Sequence, residues 1–452
     1  MLAIGVVCIV SLFMSASKVS AMPPVKKTVL SNGLILLHSE DHSLPFVTLQ
    51  LLVDGGSDRD LSGKEGLSYL TAKGILLGTS GHSASALSEE LDFLGASLDS
   101  FAGRDYTILS LRVLAANLDK GLALFMETLA KPTFPVKELK REEDKTLALI
   151  QSHKEQPGKV AEEAFLKTLF LSGPYRHQTM GTEDSVSRLT RDDVLAFYET
   201  YYRPNNCVLA VVGDITAEEL KSKLIPLVET LPVGDIPKIP VETVFSSRRD
   251  TVRIDRKITQ ANIVVGNPGI TRDNPDFYAS TVMNYILGGG GFASRLLEEV
   301  RNKRGLAYSV ASFFDTGKYP GSFQVVLQTK NLSAREAICL VLQQMKQIRG
   351  ELVSDEELEE AKKYLVGSFP LRIDTQSKLA NVLLQDEFYG LGLDYPDRYP
   401  LLIRSVTRDD ILRVAKTYLH PETCVLIIVG DLKEVGSPLD EGNPAKTETP
   451  AH

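Results

Sequence analysis

The sequence predicts an α+β protein of two homologous domains, each a largely antiparallel sheet with helices packed on it. Two observations carry this prediction: a long internal repeat, and strand and helix patterns that come in runs instead of strict alternation. The 452 residues are enough for roughly two to four domains of about 150 residues each.

The repeat relates residues 190–215 to 407–432 at a constant offset of 217, with 14 of 26 positions identical. The first copy reads TRDDVLAFYETYYRPNNCVLAVVGDI, and the second reads TRDDILRVAKTYLHPETCVLIIVGDL. Each predicts a Thr-capped helix that opens with acids, then a Pro turn, then a β-rich run. Because each copy lies near the end of a half, the repeat predicts duplication of a whole domain.

The first half illustrates the mixed pattern of elements. Asn32-Gly33 is a hairpin signal, and Gly95 is typical of a helix end. The expected elements are a hairpin over 28–37, strands over 46–53 and 106–113, and helices over 83–94, about 117–130 and 136–153.

The N-terminus has the pattern of a secretory signal peptide. Residues 2–17 are uncharged and mostly apolar, and the small residues Val19-Ser20-Ala21 fit a cleavage site. We therefore expect an exported protein, periplasmic or secreted, with no membrane span after cleavage; the alternative is a retained anchor. The predicted divisions are a signal peptide at 1–21, an N-terminal domain at 22–235, a Pro-interrupted linker at 236–247, a C-terminal domain at 248–436 and a polar tail at 437–452.

Composition excludes several classes of protein. The 58 acidic residues outnumber the 50 basic ones, and a net charge of −8 argues against a nucleic-acid partner. Four Cys are too few for a disulfide scaffold or a multi-Cys zinc module. After loss of Cys8 an odd number remains, and Cys207 and Cys424 lie in apolar runs typical of buried thiols.

Several ordered motifs cover the chain from about residue 25 to 432. They include LSNGLILLHSEDHSLPFVTLQLLVDGGSDRD, GKEGLSYLTAKGILLGTS, QANIVVGNPG and NYILGGGGFASRLLEEVRNKRGLAYSVASFF. In these motifs the sequence resembles the M16 (pitrilysin/insulinase-like) metallopeptidase family, in its short two-domain branch. The resemblance implies the M16/LuxS-like metallohydrolase fold.

The resemblance also implies an H-x-x-E-H zinc motif, which this chain lacks. Its two His and its Glu fall on Tyr69, Lys73 and Ala72, and the downstream Glu ligand falls on Leu149. A phenol, an ammonium, a methyl and an isobutyl group cannot form a zinc site or polarise a water. We therefore interpret the N-terminal half as pseudo-catalytic, with no catalytic residue, no metal and no cofactor in this chain.

The second half keeps a different part of the family's machinery. Arg301 and Tyr308 match a pair that, in active relatives, holds the substrate backbone and stabilises charge on the scissile carbonyl. Without the resemblance, Arg301 would be interpreted as a helix-face cation and Tyr308 as a packed strand residue. The Gly-rich run 288–291, with Gly289 and Gly290, is either a substrate-handling loop or a helix end.

The favoured hypothesis is a non-catalytic subunit of a heterodimeric M16-type peptidase, with zinc in the partner subunit and a peptide or unfolded polypeptide as substrate. Residues 96–101 match the edge to which the family adds substrate as a strand. The alternative is a non-enzymatic scaffold or peptide-binding protein of the same fold, possibly a homodimer.

One further histidine pair could mimic a metal site. His38 and His42 lie four residues apart with acids between them. They follow a predicted strand, where residues four apart do not converge as they do on a helix. The pair is therefore interpreted as part of a surface turn.

Overall fold

The computed structural model describes residues 23–238 and 242–436. The predicted signal peptide and polar tail lie outside the described residues, as does the middle of the predicted linker. Across these two described ranges, no helix has both the length and the apolar character needed to cross a membrane.

Thirteen strands are present in the described ranges: β1 Lys26–Val29, β2 Ile35–Glu40, β3 Phe46–Val53, β4 Ser97–Ala102, β5 Thr107–Leu114, β6 Phe170–Ser172, β7 Cys207–Gly213, β8 Val244–Phe245, β9 Asp250–Asp255, β10 Gln260–Pro268, β11 Ala307–Asp315, β12 Ser322–Lys330 and β13 Val425–Gly430. The α-helices are α1 Leu67–Gly74, α2 Ala84–Leu94, α3 Leu118–Ala130, α4 Val136–Glu155, α5 Pro157–Leu169, α6 Glu183–Val186, α7 Arg191–Tyr201, α8 Ala217–Glu219, α9 Ile225–Val228, α10 Phe277–Asn284, α11 Ala334–Gly350, α12 Asp355–Gly367, α13 Gln376–Phe388, α14 Tyr395–Ser405, α15 Arg408–Tyr418 and α16 Leu432–Val435. Turns of π-helix follow α8 at Leu220–Leu224, follow α10 at Tyr285–Gly289, and stand alone at Leu297–Asn302.

The two large sheets have the same topology. The first has the order β1-β2-β7-β3-β5-β4, and the second has the order β11-β12-β10-β13-β9. With β1 set aside, each strand has a counterpart, and the β2–β7 and β9–β13 pairs are both parallel. Every other pair within these sheets is antiparallel. The predicted α+β fold of two homologous, largely antiparallel halves is confirmed.

The repeated segment folds in the same way in both halves. The hydroxyls of Thr190 and Thr407 each accept a hydrogen bond from the third backbone N–H of the helix that follows, α7 or α15. The Asp at that third position returns the contact to the threonine, which completes a capping box. These acids explain why both copies of the repeat open with Thr-Arg-Asp-Asp.

Each sheet is covered on one face by helices of its own half and on the other by a helix of the opposite half. On α13, Leu383 and Leu384 are buried against Val208 and Ala210 of β7. On α5, Phe165 is buried in the cluster with Val264 of β10 and the β13 valines. The two halves therefore exchange one helix each, and neither core is complete without the other half.

We expect Leu383→Ala to lower the free energy of unfolding by roughly 2–5 kcal/mol, since Leu383 is fully buried. Hydrogen exchange should show lost protection in β3 and β7, which belong to the other half of the chain. Leu401→Ala, at a side chain that is 63% exposed, is the control and should change stability little. Loss of protection confined to the C-terminal sheet would contradict the exchange of helices.

Candidate functional site

Helix α1 carries three of the four degenerate zinc positions. The partly buried Asp60 carboxylate holds its first turn, accepting hydrogen bonds from the backbone N–H groups of Gly66 and Ser68, each at 2.8 Å. Tyr69 and Lys73 lie one turn apart on this helix and are half-buried, whereas Ala72 is fully buried. The helix therefore places these two side chains as a pair of metal ligands would be placed, but a phenol and an ammonium do not form a zinc site.

Lys73 has a backbone partner on the edge strand of the N-terminal sheet. Its ammonium donates to the carbonyl oxygen of Ser100 on β4 at 3.3 Å and lies 5.7 Å from the centroid of the Tyr69 ring. The Ser100 hydroxyl in turn donates to the Ala72 carbonyl oxygen at 2.5 Å. Lys73 thus ties α1 to β4, and its positive charge disfavours a second cation at this position.

The fourth degenerate position, Leu149, lies on α4 with 46% of its surface exposed. The acids two turns earlier are paired with lysines of the same helix: Glu142 with Lys145 at 3.2 Å and Glu143 with Lys140 at 2.7 Å. Among the described residues, no group of three or more His, Cys, Asp or Glu side chains could hold a metal ion. The side chains at the family's ligand positions do not fit zinc.

A cleft opens beside these positions, between the two halves. It has a volume of about 350 Å³ and is lined by Tyr69, by Phe101 of β4 and by Gln324 of β12, among others. A second cleft of about 320 Å³ shares Gln324 and Glu162 with the first and reaches Ser309 on β11. A groove therefore runs from the degenerate zinc position to the strand that carries Tyr308.

Arg301 and Tyr308 lie together in the C-terminal half. Arg301 is on the π-helical turn Leu297–Asn302, and Tyr308 is on β11, an edge strand of its sheet. The guanidinium carbon lies 5.8 Å from the centroid of the phenol ring. Tyr308 is 76% exposed, and no carboxylate of the described residues lies within 4 Å of the Arg301 guanidinium nitrogens. Both donors are free to meet a ligand.

The Gly-rich run 288–291 begins in a π-helical turn that packs against β11. Helix α10 ends at Asn284, and Gly288 and Gly289 belong to the following π-helical turn. A Cβ on Gly288 would lie 2.5 Å from the Ser312 hydroxyl of β11, so this close approach requires glycine. Gly291 has a φ of 56°, in the left-handed region. Gly289 and Gly290 instead lie against Asn284 and Tyr285 of the preceding segment, and their part in substrate binding stays a prediction.

The other His and Cys residues are held in local structure. His38 is buried, with Nε2 3.0 Å from the Ile215 carbonyl oxygen, whereas His42 pairs with Asp214 at 2.5 Å and Glu40 at 2.8 Å. Those two contacts, Asp214 first, raise the pKa of His42. Three thiols of the described residues are free: Cys207 and Cys424, which are buried, and Cys339, which is exposed.

A charged cluster joins the halves near the cleft. Lys318 of the C-terminal half donates to Asp54 at 2.9 Å and lies 4.0 Å from Asp58. Arg59 also contacts Asp54, at 3.0 Å. The Asp58 side chain has no exposed surface, and this burial raises its pKa to about 7, although Arg59 and Lys318 act in the opposite direction.

Two family models match the chain. The model for the insulinase (peptidase family M16) domain matches residues 35–183, and the model for the peptidase M16 inactive domain matches residues 188–365. The chain belongs to the M16 peptidase family. It is an inactive member of that family. The predicted zinc positions carry Tyr69, Ala72, Lys73 and Leu149, none of which is a zinc-binding side chain.

Similar M16 proteins match over nearly the whole chain. An uncharacterized zinc protease of Streptomyces coelicolor is 27% identical over 91% of this chain and 90% of its own. A non-peptidase homolog of Helicobacter pylori, YmxG, is 26% identical over 88% and 92%. The crystal structure of a peptidase M16 inactive domain from Pseudomonas fluorescens is 29% identical, with a TM-score of 0.85, and covers 90% of this chain and 98% of its own.

Sequence reasoning placed Arg301 and Tyr308 but missed two residues beside the named positions. Phe292, directly after the glycines, has its ring centroid 5.5 Å from the guanidinium carbon of Arg301. Ser100 supplies the carbonyl that Lys73 contacts. An aromatic residue that follows a glycine run is a signal that could have identified Phe292.

We expect the purified chain, from zinc-supplemented medium, to contain far less than one zinc per molecule, since its ligand positions offer no imidazole or carboxylate. Tyr69→His with Lys73→His should raise zinc affinity, because two imidazoles four residues apart share a helix face. Inductively coupled plasma mass spectrometry after dialysis measures both. Stoichiometric zinc in the unaltered chain would contradict the assignment of these positions.

Asp58 should make stability fall as pH rises. The folded state holds a proton on Asp58 up to about pH 7, whereas the ordinary pKa of an aspartate carboxyl is 3.8, so the unfolded state loses its proton first. Stability is therefore lost between about pH 4 and 7, by at most about 1.4 kcal/mol per pH unit. The free energy of unfolding of Asp58→Asn, measured with urea from pH 5 to 8, should rise relative to the unaltered chain and level off above pH 7. A difference that is independent of pH would show that Asp58 is already ionised at pH 5.

Proposed function

We propose that this chain is the non-catalytic subunit of a two-chain M16 peptidase. A partner subunit with an intact H-x-x-E-H motif supplies the zinc, and this chain supplies Arg301 and Tyr308. The reaction is hydrolysis of a peptide or unfolded polypeptide. This chain alone has no peptidase activity, because the positions of the general base and of the metal ligands carry side chains that cannot activate water.

The observation that carries the proposal is the free Arg301–Tyr308 pair. A guanidinium and a phenolic O–H are both hydrogen-bond donors, suited to an oxygen on which negative charge develops. Neither is committed to a carboxylate of the described residues, and the Tyr308 side chain is largely exposed. The ligand positions of this chain do not fit zinc, so the pair has no zinc site of its own to serve. Two donors left without a carboxylate partner therefore favour action on a site in another chain.

The edge of the N-terminal sheet supports a peptide as the ligand. Among the described residues, strand β4 is paired on one side only, with β5, and Phe101 on it is 60% exposed beside the cleft. An edge strand offers main-chain donors and acceptors that pair with an extended peptide of almost any sequence. Gly289, which is exposed, and Gly290 beside it lack side chains and would let a peptide backbone approach closely.

The proposed setting is outside the cytoplasm, in the periplasm or as a secreted protein. Support comes from the sequence of residues 1–21, with its uncharged apolar run and small residues at the expected cleavage site. The partner would be exported with it. Mass determination of the mature N-terminus tests this proposal, and a chain that begins at Met1 would indicate a retained segment.

A second candidate is a peptide-binding or scaffold protein without enzymatic function. The observation that favours it is Lys73, which contributes to the structure by joining α1 to β4. The two candidates differ in one respect: only the first needs the free Arg301–Tyr308 pair.

The test is reconstitution with a zinc-motif chain that co-purifies with this protein. Cleavage of an unfolded polypeptide should require both chains, and Arg301→Ala or Tyr308→Phe should lower the restored kcat about 10²-fold, the effect of losing one oxyanion donor. Matched controls are Arg304→Ala, at an arginine paired with Glu299, and Tyr364→Phe, at another exposed tyrosine. Full activity of the Arg301/Tyr308 double variant, or a homodimer inactive with every partner, would favour the scaffold.

A further inference from the structure

Two aromatic rings lie close to the Arg301 guanidinium. Its central carbon lies 5.5 Å from the centroid of Phe292 and 5.8 Å from that of Tyr308. Both distances are within the range of a cation–π interaction. Phe292 comes from the turn before the helix of Arg301, and Tyr308 from the strand after it. Three successive elements therefore converge on one cation.

The position of Phe292 is fixed by the backbone around it. It occupies the short 3₁₀ turn Gly291–Ala293, in which the Ser294 hydroxyl donates to the Gly291 carbonyl oxygen at 2.7 Å. Earlier in the same run, Gly288 packs against β11, since a Cβ on it would lie 2.5 Å from the Ser312 hydroxyl. The turn is thus tied to the same strand that carries Tyr308.

Burial does not account for Phe292. Its side chain is 77% exposed, so it contributes little to a hydrophobic core. Such a ring, on a turn whose Gly291 has a φ of 56° and near a guanidinium that no carboxylate of the described residues contacts, is explained by its contact with Arg301.

We propose that Phe292 is a positioning residue for Arg301, a role that rests on the proposed function. With the rings of Phe292 and Tyr308 both within cation–π distance, the guanidinium is restricted in position, and its N–H donors are left to meet a carbonyl oxygen of the peptide in the partner's site. An arginine otherwise has many rotamers, and restricting it beforehand lowers the cost of ordering it when the transition state forms.

In the reconstituted peptidase, Phe292→Leu and Phe292→Ala should lower kcat about two- to fivefold and change KM little, as expected for loss of an exposed cation–π contact. Phe292→Trp should retain full kcat, since indole is the best partner for a cation. Phe93→Ala, at a phenylalanine of α2 that is 83% exposed, is the matched control and should leave kcat unchanged. Melting temperatures should be equal throughout.

Three outcomes overturn the proposal. If Phe292→Leu keeps full kcat while Arg301→Ala is impaired, Phe292 is not a positioning residue, and the proposed function is unaffected. Weaker binding of the partner with unchanged kcat would make Phe292 a subunit contact. If no partner restores activity, the proposed function is wrong, and the contact between Phe292 and Arg301 has no role in catalysis.

A second measurement needs no partner, because the chain contains no Trp and Phe292→Trp introduces a single fluorophore. Adding Arg301→Ala to this variant should free the indole and raise its acrylamide quenching constant by about one and a half- to twofold, since one face loses its covering cation. Phe93→Trp with and without Arg301→Ala is the control and should show no change. Equal quenching with and without Arg301 would show that the contact does not exist, independently of the proposed function.

Discussion

The exchange of α5 and α13 is the interaction on which the rest of the molecule depends. Each helix covers the face of a sheet that belongs to the other half, and a fully buried leucine on such a helix contributes roughly 1.5–3 kcal/mol. The cleft has one wall from each half, since Glu162 is on α5 and Gln324 is on β12. Helix α5, one of the two helices that interlock the halves, also lines the groove from Tyr69 to β11. The packing of the core therefore fixes the shape of this groove.

The degenerate zinc positions differ from the active family pattern in charge as well as in ligand type. In place of a dication and a base, α1 presents the half-buried ammonium of Lys73, which donates to a carbonyl of the edge strand. Neutral replacements would have removed the ligands without opposing a metal, whereas a fixed positive charge also repels one. Helix α1 therefore holds Tyr69 and Lys73 one turn apart, as a pair of metal ligands would be held, but at the predicted positions it offers neither a zinc ligand nor a general base.

Much of the fold was predictable because its signals are local. Caps such as Thr190 and Thr407, the Asn32-Gly33 turn and the Gly95 helix end are each specified by a few neighbouring residues. The exchange of helices was not predictable, since the periodicity of α13 shows which of its faces is buried but not which sheet it meets.

Of the candidate site, too, only a part was predictable from the sequence. The spacing of Arg301 and Tyr308 identifies the pair, and the structure brings the two side chains together. The part of Phe292 depends on a φ of 56° at Gly291 and on a close approach to β11, neither of which a residue pattern specifies.

The exchanged helices also impose an order on folding during synthesis. The strands of the N-terminal sheet are made early, whereas α13, which covers one of their faces, is among the last helices to leave the ribosome. Until then an apolar face that includes Leu37, Leu52 and Val208 has no cover. A nascent chain of this protein thus exposes an apolar sheet face from the completion of β7 at Gly213 until α13 is made, and a truncated product lacking α13 would be prone to aggregate.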